Sequence, residues 1–533
     1  MRTVDTVKKL FIPIAICLLS VAHAAAHEDS DKTTVRFTGY GDPFGTTEDG
    51  TLDPMRSYQL LFFNLQHQIF ETLVGIDHNT QQVIPLLAET WKKIDSKTIR
   101  FYLQHGVRFH NGEQFTAEAV RFSFELMTDP RNKYAGRYLL DSVARVDVID
   151  RYTLDVVLHF PDALILRKLA SIGYMFPPQY YKKVGNDYFT RHPMGTGPFR
   201  YLYSDTNMDG VKEIHFYANE DYWEPGLPAF SELVYCFYPG ERQWEALKNG
   251  RVDMVITQYI DDDAAQSPSV KLFTQQTLRN SACILNIDKP GPLADLRVRQ
   301  ALQYCINRRA IIDRALKGYG KALHTIVPEG AFGYASSIPL YSENIVRARE
   351  LLARAGYPGG FTLNLMASST RHTIDVISVL QEQLSQVGIT LVPHLLNRKE
   401  ILDEIITPKL MGTSQPGRHD IWVVTGWPSM FGTGTTFYFM FLHSRGMYNF
   451  GTYLNRESPV DELYTRAIQS TDRESFRAGL QKLDRYLLEQ SLVIPLYQVE
   501  LIYGMRPDII YSPGLNDLPH QFKNCTVSES SQQ

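Results

Sequence analysis

The chain has 533 residues, of which 44% are hydrophobic and 21% are charged, and this length allows two or more domains with substantial cores. Its formal net charge of −4 argues against nucleic acid as a partner, because such binding depends on clustered Lys and Arg side chains. The composition is that of a globular protein.

The first 26 residues have the pattern of a secretory signal peptide. A basic start precedes an apolar run over residues 10–21, and small residues follow at a spacing that fits a cleavage site. A membrane anchor is the weaker interpretation, because about 20 apolar residues span a bilayer and this run is shorter and contains Pro13. Lipoprotein processing requires a small residue before its cysteine, and Ile16 precedes Cys17. We therefore expect a periplasmic protein that is not lipidated.

Four cysteines follow the predicted signal peptide: Cys236, Cys283, Cys305 and Cys525. They form no CxxC pair and have no spacing typical of a zinc site. An oxidising compartment permits disulfides, but a chain of this length does not need them. Disulfides and buried free thiols are both compatible with the sequence.

A strand, a turn and a helix are predicted over residues 98–123. Apolar side chains alternate as in a half-buried strand: Ile99, Phe101 and Leu103. Gly106 and Gly112 supply turn chemistry. Thr116 is predicted to cap a helix whose inward side chains recur at helical spacing: Val120, Phe124 and Met127.

A helix is predicted over residues 342–355. Ile345, Leu351 and Leu352 should face inward, and Gly356 follows the predicted end of the helix. Glu350 and Arg354 are expected to pair at i,i+4.

A strand-helix-strand unit is predicted next. Residues 361–366 alternate as a strand, residues 389–392 form the second strand, and one helical face lies between them: Ile374, Ile377, Leu380, Leu384 and Val387. Such units are usually right-handed with parallel strands, and ligands gather at the carboxyl end of the first strand. This places residues 368–371 in a functional location.

Sequence blocks along the chain resemble the family of extracellular solute-binding proteins that serve peptide, nickel and opine ABC transporters. The blocks occur in the family's order at residues 52–54, 69–74, 85–91, 98–123, 195–199, 219–223, 246–253, 293–302, 351–357 and 494–497. Each block is a weak motif, but their order and spread make a chance resemblance improbable.

The resemblance implies an α/β fold with two lobes, typical of periplasmic binding proteins. The chain would cross a hinge near residues 274–286 and again near 490–500. Lobe one would comprise residues 27–275 and 496–533, with a subdomain at about 75–190, and lobe two would comprise residues 276–495. Such proteins close on a ligand in the cleft between the lobes.

The loop after the predicted strand at residues 420–426 bears on the ligand. Peptide-binding relatives commonly place an Asp there, which pairs with the α-amino group of the peptide, whereas residues 427–436 contain no acid. Burial of an ammonium group without a counter-charge costs free energy, so a peptide with a free α-amino group is less favoured as the ligand. Nickel-binding relatives use a His near this strand, where this chain has Val423 and Val424.

Four candidate ligand contacts follow from this region. Trp427 and Phe431 would form an aromatic wall, with Ser429 between them; the alternative is that the two rings pack between the lobes. Arg371, at a predicted helix N-terminus, would hold a carboxylate, and its alternative is an ordinary solvated charge.

Three further candidates come from elsewhere in the chain. Tyr40 follows the first predicted strand, at residues 35–38, and is expected to point at the cleft. Arg137 and Asn286 are placed by analogy with lobe-one contacts and with the hinge.

Catalysis has little support in the sequence. Residues 412–416 nearly fit a nucleophile elbow but have Pro416 where glycine is required. No HExxH, EF-hand or phosphate-loop motif occurs, and we expect neither a cofactor nor a metal.

The sequence therefore predicts a monomeric periplasmic receptor that delivers a small peptide-like or opine-like solute to the permease of an ABC importer. Two alternatives are a signalling or chaperone protein of the same fold, and a secreted hydrolase with a carboxylate pair distant in the chain.

Overall fold

A computed structural model describes residues 33–39, 52–56, 60–132, 134, 136–240, 242–338, 341–411, 417–454, 456–515 and 520–528. The predicted signal peptide and Tyr40 lie outside these residues. No helix in the described part of the chain is both long and apolar enough to cross a membrane.

The helices are spread along the whole chain. They are α1 (Leu60–Ile69), α2 (Ala117–Thr128), α3 (Ile165–Ile172), α4 (Pro178–Val184), α5 (Asn186–Arg191), α6 (Arg242–Lys248), α7 (Asp262–Ala265), α8 (Leu296–Cys305), α9 (Arg308–Ala315), α10 (Ile345–Arg354), α11 (Arg371–Ser385), α12 (Arg398–Ile401), α13 (Thr407–Leu410), α14 (Thr435–Phe437), α15 (Pro459–Ile468) and α16 (Arg473–Glu489). Short 3₁₀ helices cover Pro130–Asn132, Arg137–Leu140, Pro292–Ala294 and Phe522–Asn524, and π-helical turns cover Leu402–Ile406 and Tyr438–Leu442.

Two of the strands are much longer than the rest. The strands are β1 (Thr34–Thr38), β2 (Val74–Ile76), β3 (Val83–Pro85), β4 (Ala88–Lys93), β5 (Thr98–Leu103), β6 (Val143–Val148), β7 (Thr153–Leu158), β8 (Phe199–Thr206), β9 (Lys212–Ala218), β10 (Glu232–Cys236), β11 (Met254–Thr257), β12 (Lys271–Leu285), β13 (Lys321–Ala322), β14 (Thr362–Ser368), β15 (Thr390–Leu396), β16 (Ile421–Trp427), β17 (Val493–Met505), β18 (Ile509–Ile510) and β19 (Thr526–Val527).

Eleven strands form one large mixed sheet, and the long strands β12 and β17 are antiparallel neighbours at its centre. Strands β16, β14 and β15 extend the sheet on one side, and β11, β1, β10, β9 and β8 extend it on the other. The register between β12 and β17 shifts between Gln276 and Asn280, so the ladder is irregular midway along both strands. The two halves of the sheet are thus joined through β12 and β17.

A second, antiparallel sheet has the strand order β4-β5-β7-β6. Its strand β5 buries Ile99, Phe101 and Leu103, and helix α2 buries the predicted residues Val120, Phe124 and Met127. Thr116 is the N-cap of α2, as predicted, although its side chain makes no capping hydrogen bond.

The predicted α/β class is confirmed, and β14 and β15 are parallel neighbours connected through α11, as the sequence indicated. Two local details differ. The side chain of Ile374 is 38% exposed because it lies on the outer side of α11, whereas the other predicted residues of that face are buried. Glu350 pairs with Arg347 at 2.9 Å instead of the predicted Arg354. Partners three and four residues away are both within reach on a helix surface, so the spacing alone does not decide between them.

All four cysteines that follow the predicted signal peptide are free and buried. Burial raises the pKa of the Cys283 thiol to about 12, which keeps it protonated and unreactive at neutral pH. The sequence is compatible with disulfides or free thiols, and the structure has these four as free thiols.

Candidate ligand-binding site

A cavity of about 230 Å³ lies beyond the C-terminal end of β16. One wall comes from the chain before β12, and the other from the chain between β12 and β17. The lining residues are Phe63, Tyr138, Leu139, Thr425, Gly426, Trp427, Pro428, Met430, Phe431, Thr435, Thr436, Phe439, Met440, Tyr448 and Tyr464. The cavity therefore lies between the two halves of the molecule.

The end of β16 is shaped by Gly426. Its φ of +70° is a conformation that side chains with a Cβ rarely adopt, and a Cβ would lie 2.3 Å from Nε2 of Gln258, which follows β11. A glycine here lets the two halves approach closely while the next residue, Trp427, turns toward the cavity.

Aromatic rings form most of the cavity wall. The Trp427 ring packs edge-on against Phe441 at 4.6 Å and Tyr448 at 5.5 Å between ring centroids. Across the cavity, Tyr138 stacks on Phe439 at 5.6 Å, and its hydroxyl donates to Sδ of Met440 at 3.3 Å. Aromatic and Met side chains of this kind suit an apolar group of a ligand.

Two buried polar atoms of the lining residues have no hydrogen-bond partner among the described residues: Nε1 of Trp427 and Oγ1 of Thr436. A buried donor or acceptor without a partner costs about 1–3 kcal/mol. A polar group of a ligand in this cavity could remove that cost by bonding to either atom.

A polar network supports the cavity from behind. Oγ1 of Thr425 lies 2.9 Å from Oγ1 of Thr373 and 3.2 Å from Nε2 of His372, both in the first turn of α11. Because β14 and β16 are parallel, the residues after β14 and the end of β16 meet at one edge of the sheet. Burial lowers the pKa of His372 to about 4, so this imidazole is neutral at physiological pH.

No charged side chain is found among the described residues that line the cavity. Burial raises the pKa of Tyr138 and of Tyr464 well above that of an ordinary phenol, so both stay neutral. The nearby guanidinium of Arg279 is buried and donates to the backbone oxygen of Gly426 at 3.3 Å. The cavity as described holds neutral groups and offers no carboxylate to a ligand's ammonium.

Arg167 joins the two walls beside the cavity. This α3 residue donates from Nη1 to the backbone oxygen of Phe431 at 2.8 Å and from Nη2 to that of Gln81. Burial lowers the pKa of Arg167 to about 10, which still leaves it charged at neutral pH. Ser171, one turn further along α3, donates to the backbone oxygen of Met430 at 3.3 Å.

The structure brings some of the sequence-predicted residues to the cavity. Trp427 and Phe431 line it, and Ser429 lies between them, buried but not among the lining residues. Arg137 is the immediate neighbour of the lining residue Tyr138.

Two other predicted residues lie elsewhere. The side chain of Arg371 is 61% exposed and pairs with Asp375 within α11 at 3.3 Å. Asn286 is fully buried at the opposite end of β16 from Trp427, where its amide donates to the backbone oxygens of Gly417 and His419. Its carbonyl accepts from the backbone of Lys289, so backbone groups use both ends of this amide.

Sequence reasoning missed several of the aromatic lining residues: Phe63, Tyr138, Phe439, Tyr448 and Tyr464. One of them, Phe439, belongs to the run of aromatic residues within 437–441, which is a local signal in the sequence. The others come from segments distant in the chain, which only the fold brings together.

Comparisons with known proteins agree with this architecture. The glutathione-binding protein GsiB of Escherichia coli O6:K15:H31 is 26% identical over 462 residues, which cover 85% of this chain and 87% of that protein. Two solved structures share the fold. AgaA of A. tumefaciens R10 in complex with agropinic acid has a TM-score of 0.74 and 23% identity, covering 93% of this chain and 99% of the other. DppA of Helicobacter pylori in complex with the peptide STSA has a TM-score of 0.75 and 19% identity, covering 93% and 98%.

The middle-region model of the bacterial extracellular solute-binding proteins, family 5, matches residues 82–449 of this chain, well over half of its length. The two-part fold with a cavity between its halves is consistent with that match. The chain therefore belongs to the bacterial extracellular solute-binding proteins of family 5, and it is a binding protein of the kind that serves ABC importers.

Proposed function

We propose that this protein is a periplasmic receptor that closes on a small peptide-like or opine-like solute and delivers it to the permease of an ABC importer, without catalysis. The observation that carries the proposal is the cavity between the halves, lined by aromatic rings and carrying two buried polar atoms without partners. Such a cavity, mostly apolar with a few polar groups that fix orientation, is the usual form of a small-molecule site.

The lining favours a solute that places an apolar or aromatic group in the cavity, against Trp427, Phe431 and Tyr138. Nε1 of Trp427 would donate to an oxygen of the solute, and Oγ1 of Thr436 would hold a second polar group. The solute's charged groups would lie outside the cavity, because the described lining residues carry no charge. A nickel chelate is disfavoured, since none of these lining residues is a His or a carboxylate.

The ligands of the similar proteins suggest a chemical class for the solute. GsiB is named for glutathione, AgaA was solved with agropinic acid and DppA with a peptide. These three compounds are therefore the reference ligands for the peptide-like or opine-like solute proposed here.

Closure would be a hinge motion about β12 and β17. Lobe one, residues 27–275 and 496–533, would rotate against lobe two, residues 276–495, at the irregular register between Gln276 and Asn280. Arg167 and Ser171 would then act as a latch, because each bonds to the loop that carries Met430 and Phe431. The permease would recognise the closed form, and the protein would act as a monomer after removal of residues 1–26.

Native mass spectrometry of the protein purified from the periplasm tests the proposal. We expect a bound species of a few hundred daltons that is released on denaturation. Released compound, glutathione and a short peptide are then titrated while the tryptophan fluorescence of wild type and Trp427→Phe is followed. Recovery of a chemically altered compound after incubation would favour the hydrolase alternative, and failure of every preparation to retain or bind a small molecule would refute the receptor.

A further inference from the structure

The far edge of the large sheet carries a second cluster of chemically active side chains. Asp205 on β8 lies directly opposite Glu213 on β9 in the strand register, and His215 is two residues beyond Glu213 on the same face. Edge strand β8 lies at the opposite end of the sheet from β15. The cluster is therefore separate from the cavity between the halves.

The imidazole of His215 is held in one orientation. Its Nδ1 lies 3.0 Å from Oε1 of Glu232 on β10, and since a carboxylate only accepts, Nδ1 carries the hydrogen. The ring also stacks on Tyr203 with centroids 4.4 Å apart. A carboxylate behind the imidazole is the arrangement that orients metal-binding histidines and increases their basicity.

Nε2 of His215 faces two more carboxylates. It lies 3.3 Å from Oδ1 of Asp205 and 3.5 Å from Oε2 of Glu213, and it is buried without a hydrogen-bond partner among the described residues. The three ligand atoms lie within 4.8 Å of one another. Electron-rich atoms at this separation need a positive charge among them, which either a proton on Nε2 of His215 or a metal ion would supply.

The spacing fits a tetrahedral metal ion. With metal–ligand bonds of about 2.0–2.2 Å, a tetrahedral ion places its ligand atoms about 3.4 Å apart, which matches the two distances from Nε2. Imidazole nitrogen combined with carboxylate oxygen favours zinc-class ions over magnesium or calcium, which prefer oxygen. The side chain of Asp205 is half exposed, so solvent reaches the cluster and water can supply a fourth ligand.

We propose that Asp205, Glu213 and His215 form a zinc-class divalent metal site, with Glu232 as the positioning residue for His215. The ion would fasten edge strand β8 to β9, and through His215 and Glu232 to β10. Its role would be to stabilise lobe one, independently of solute binding in the cleft.

Isothermal titration calorimetry of the chelator-treated protein with ZnCl₂ tests the site, with MgCl₂ as the comparison. We expect one zinc per chain with micromolar or tighter affinity, at least tenfold weaker binding in Asp205→Asn and in His215→Gln, and a smaller loss in Glu232→Gln. His192→Gln, a change at an exposed histidine outside the cluster, should bind zinc as wild type does. Zinc should also raise the melting temperature of wild type but not that of Asp205→Asn.

Asp205→Asn is expected to fold as wild type does, because the side chain of Asp205 is half exposed. Circular dichroism of the variant verifies this. Zinc binding that is absent in wild type, or unchanged in both Asp205→Asn and His215→Gln, would overturn the proposal. The cluster would then be a protonated imidazole held among carboxylates. Solute binding should be unaffected in all of these variants, so the two proposals fail independently.

Discussion

At the scale of single residues, Trp427 has two properties that suit a solute site, an apolar surface and a buried polar atom. Its ring forms part of the aromatic wall, and its Nε1 is a buried donor without a partner among the described residues. Arg371 has neither property, because its side chain is mostly exposed and paired with Asp375. Both residues are candidates from the sequence, but we expect a substitution to affect solute binding only at Trp427.

We expect Trp427→Ala to weaken solute binding by about 1–3 kcal/mol, the range for loss of a buried aromatic anchor. Trp427→Phe keeps a ring and removes Nε1, so a smaller loss of about 0.5–1.5 kcal/mol is expected if that atom donates to the solute. Arg371→Ala serves as the control and should change affinity by less than about 0.5 kcal/mol. Calorimetry with the compound recovered from the protein measures all three, and unchanged affinity in Trp427→Ala would remove this cavity as the site.

Gly426 offers a second test at this scale, with Gly356 as its matched control. Both residues have positive φ, +70° and +92°, but a Cβ on Gly426 would meet Gln258, whereas a Cβ on Gly356 would meet nothing within 4 Å. Gly356→Ala should cost about 1 kcal/mol from backbone strain alone, and Gly426→Ala should cost more. Urea unfolding of both variants gives the comparison, and equal midpoints would mean that Gln258 moves aside without cost.

At the scale of elements, helix α16 supports the cavity from the side of the core. Its residue Asp484 is fully buried, accepts from the backbone N–H of Ile326 at 3.1 Å and lies near the hydroxyl of Tyr438. Tyr438 begins the π-helical turn that carries the lining residues Phe439 and Met440. A change of charge on Asp484 is thus coupled to the packing of the cavity wall.

Burial raises the pKa of Asp484 to about 7, and this predicts a pH dependence of stability. The unfolded chain releases this proton near pH 3.9, so between about pH 4 and pH 7 the folded protein binds more protons and its free energy of unfolding falls as pH rises. Asp484→Asn does not titrate. Its stability relative to wild type should therefore increase between pH 5 and pH 8, by on the order of 2 kcal/mol.

Denaturant unfolding of wild type and Asp484→Asn at pH 5, 6, 7 and 8 measures this difference. Other titrating groups contribute equally to both proteins and cancel in the subtraction. A constant difference across this pH range would mean that Asp484 is already ionised in the folded protein at pH 5.

At the scale of the whole molecule, β12 and β17 connect the two halves while side chains from the chain before β12 bond to the chain after it. Arg167 makes one of these contacts, from Nη1 to the backbone oxygen of Phe431 at 2.8 Å. The backbone N–H of Ala163 also donates to the backbone oxygen of Ile468 at 2.8 Å. Both bonds require the halves to lie close together, as they would in the proposed closed form.

Arg167→Met keeps much of the side-chain volume and removes the cross-cavity donors. We expect a faster release of solute, by about two- to tenfold, because the one hydrogen bond of about 0.5–1.5 kcal/mol from Arg167 to the other half is lost from the closed form. Stopped-flow fluorescence measures the release rate, and small-angle X-ray scattering measures whether the solute still compacts the molecule. Arg121→Met, on the outer surface of α2, is the control. If Arg167→Met released solute no faster than Arg121→Met, Arg167 would be excluded as a latch.

The amino-acid sequence was enough to predict the fold class and the family, because ordered blocks and the periodicity of apolar residues are local properties of the chain. Strand β5, helix α2 and the parallel pair β14 and β15 follow from such patterns. The sequence also indicated Trp427 and Phe431 as candidate ligand contacts, since both belong to one short loop after a recognisable strand.

Which distant segments meet depends on the folded chain and not on any local pattern. Tyr138 opposes Phe439 across the cavity, and the amide of Asn286, which directly follows β12, bonds to backbone beside the start of β16. Asp205, His215 and Glu232 likewise converge through the pairing of three strands, which no spacing in the sequence reveals. Strand pairing and lobe contact are set by non-local packing, so the composition of a site between lobes is readable only once the chain is folded.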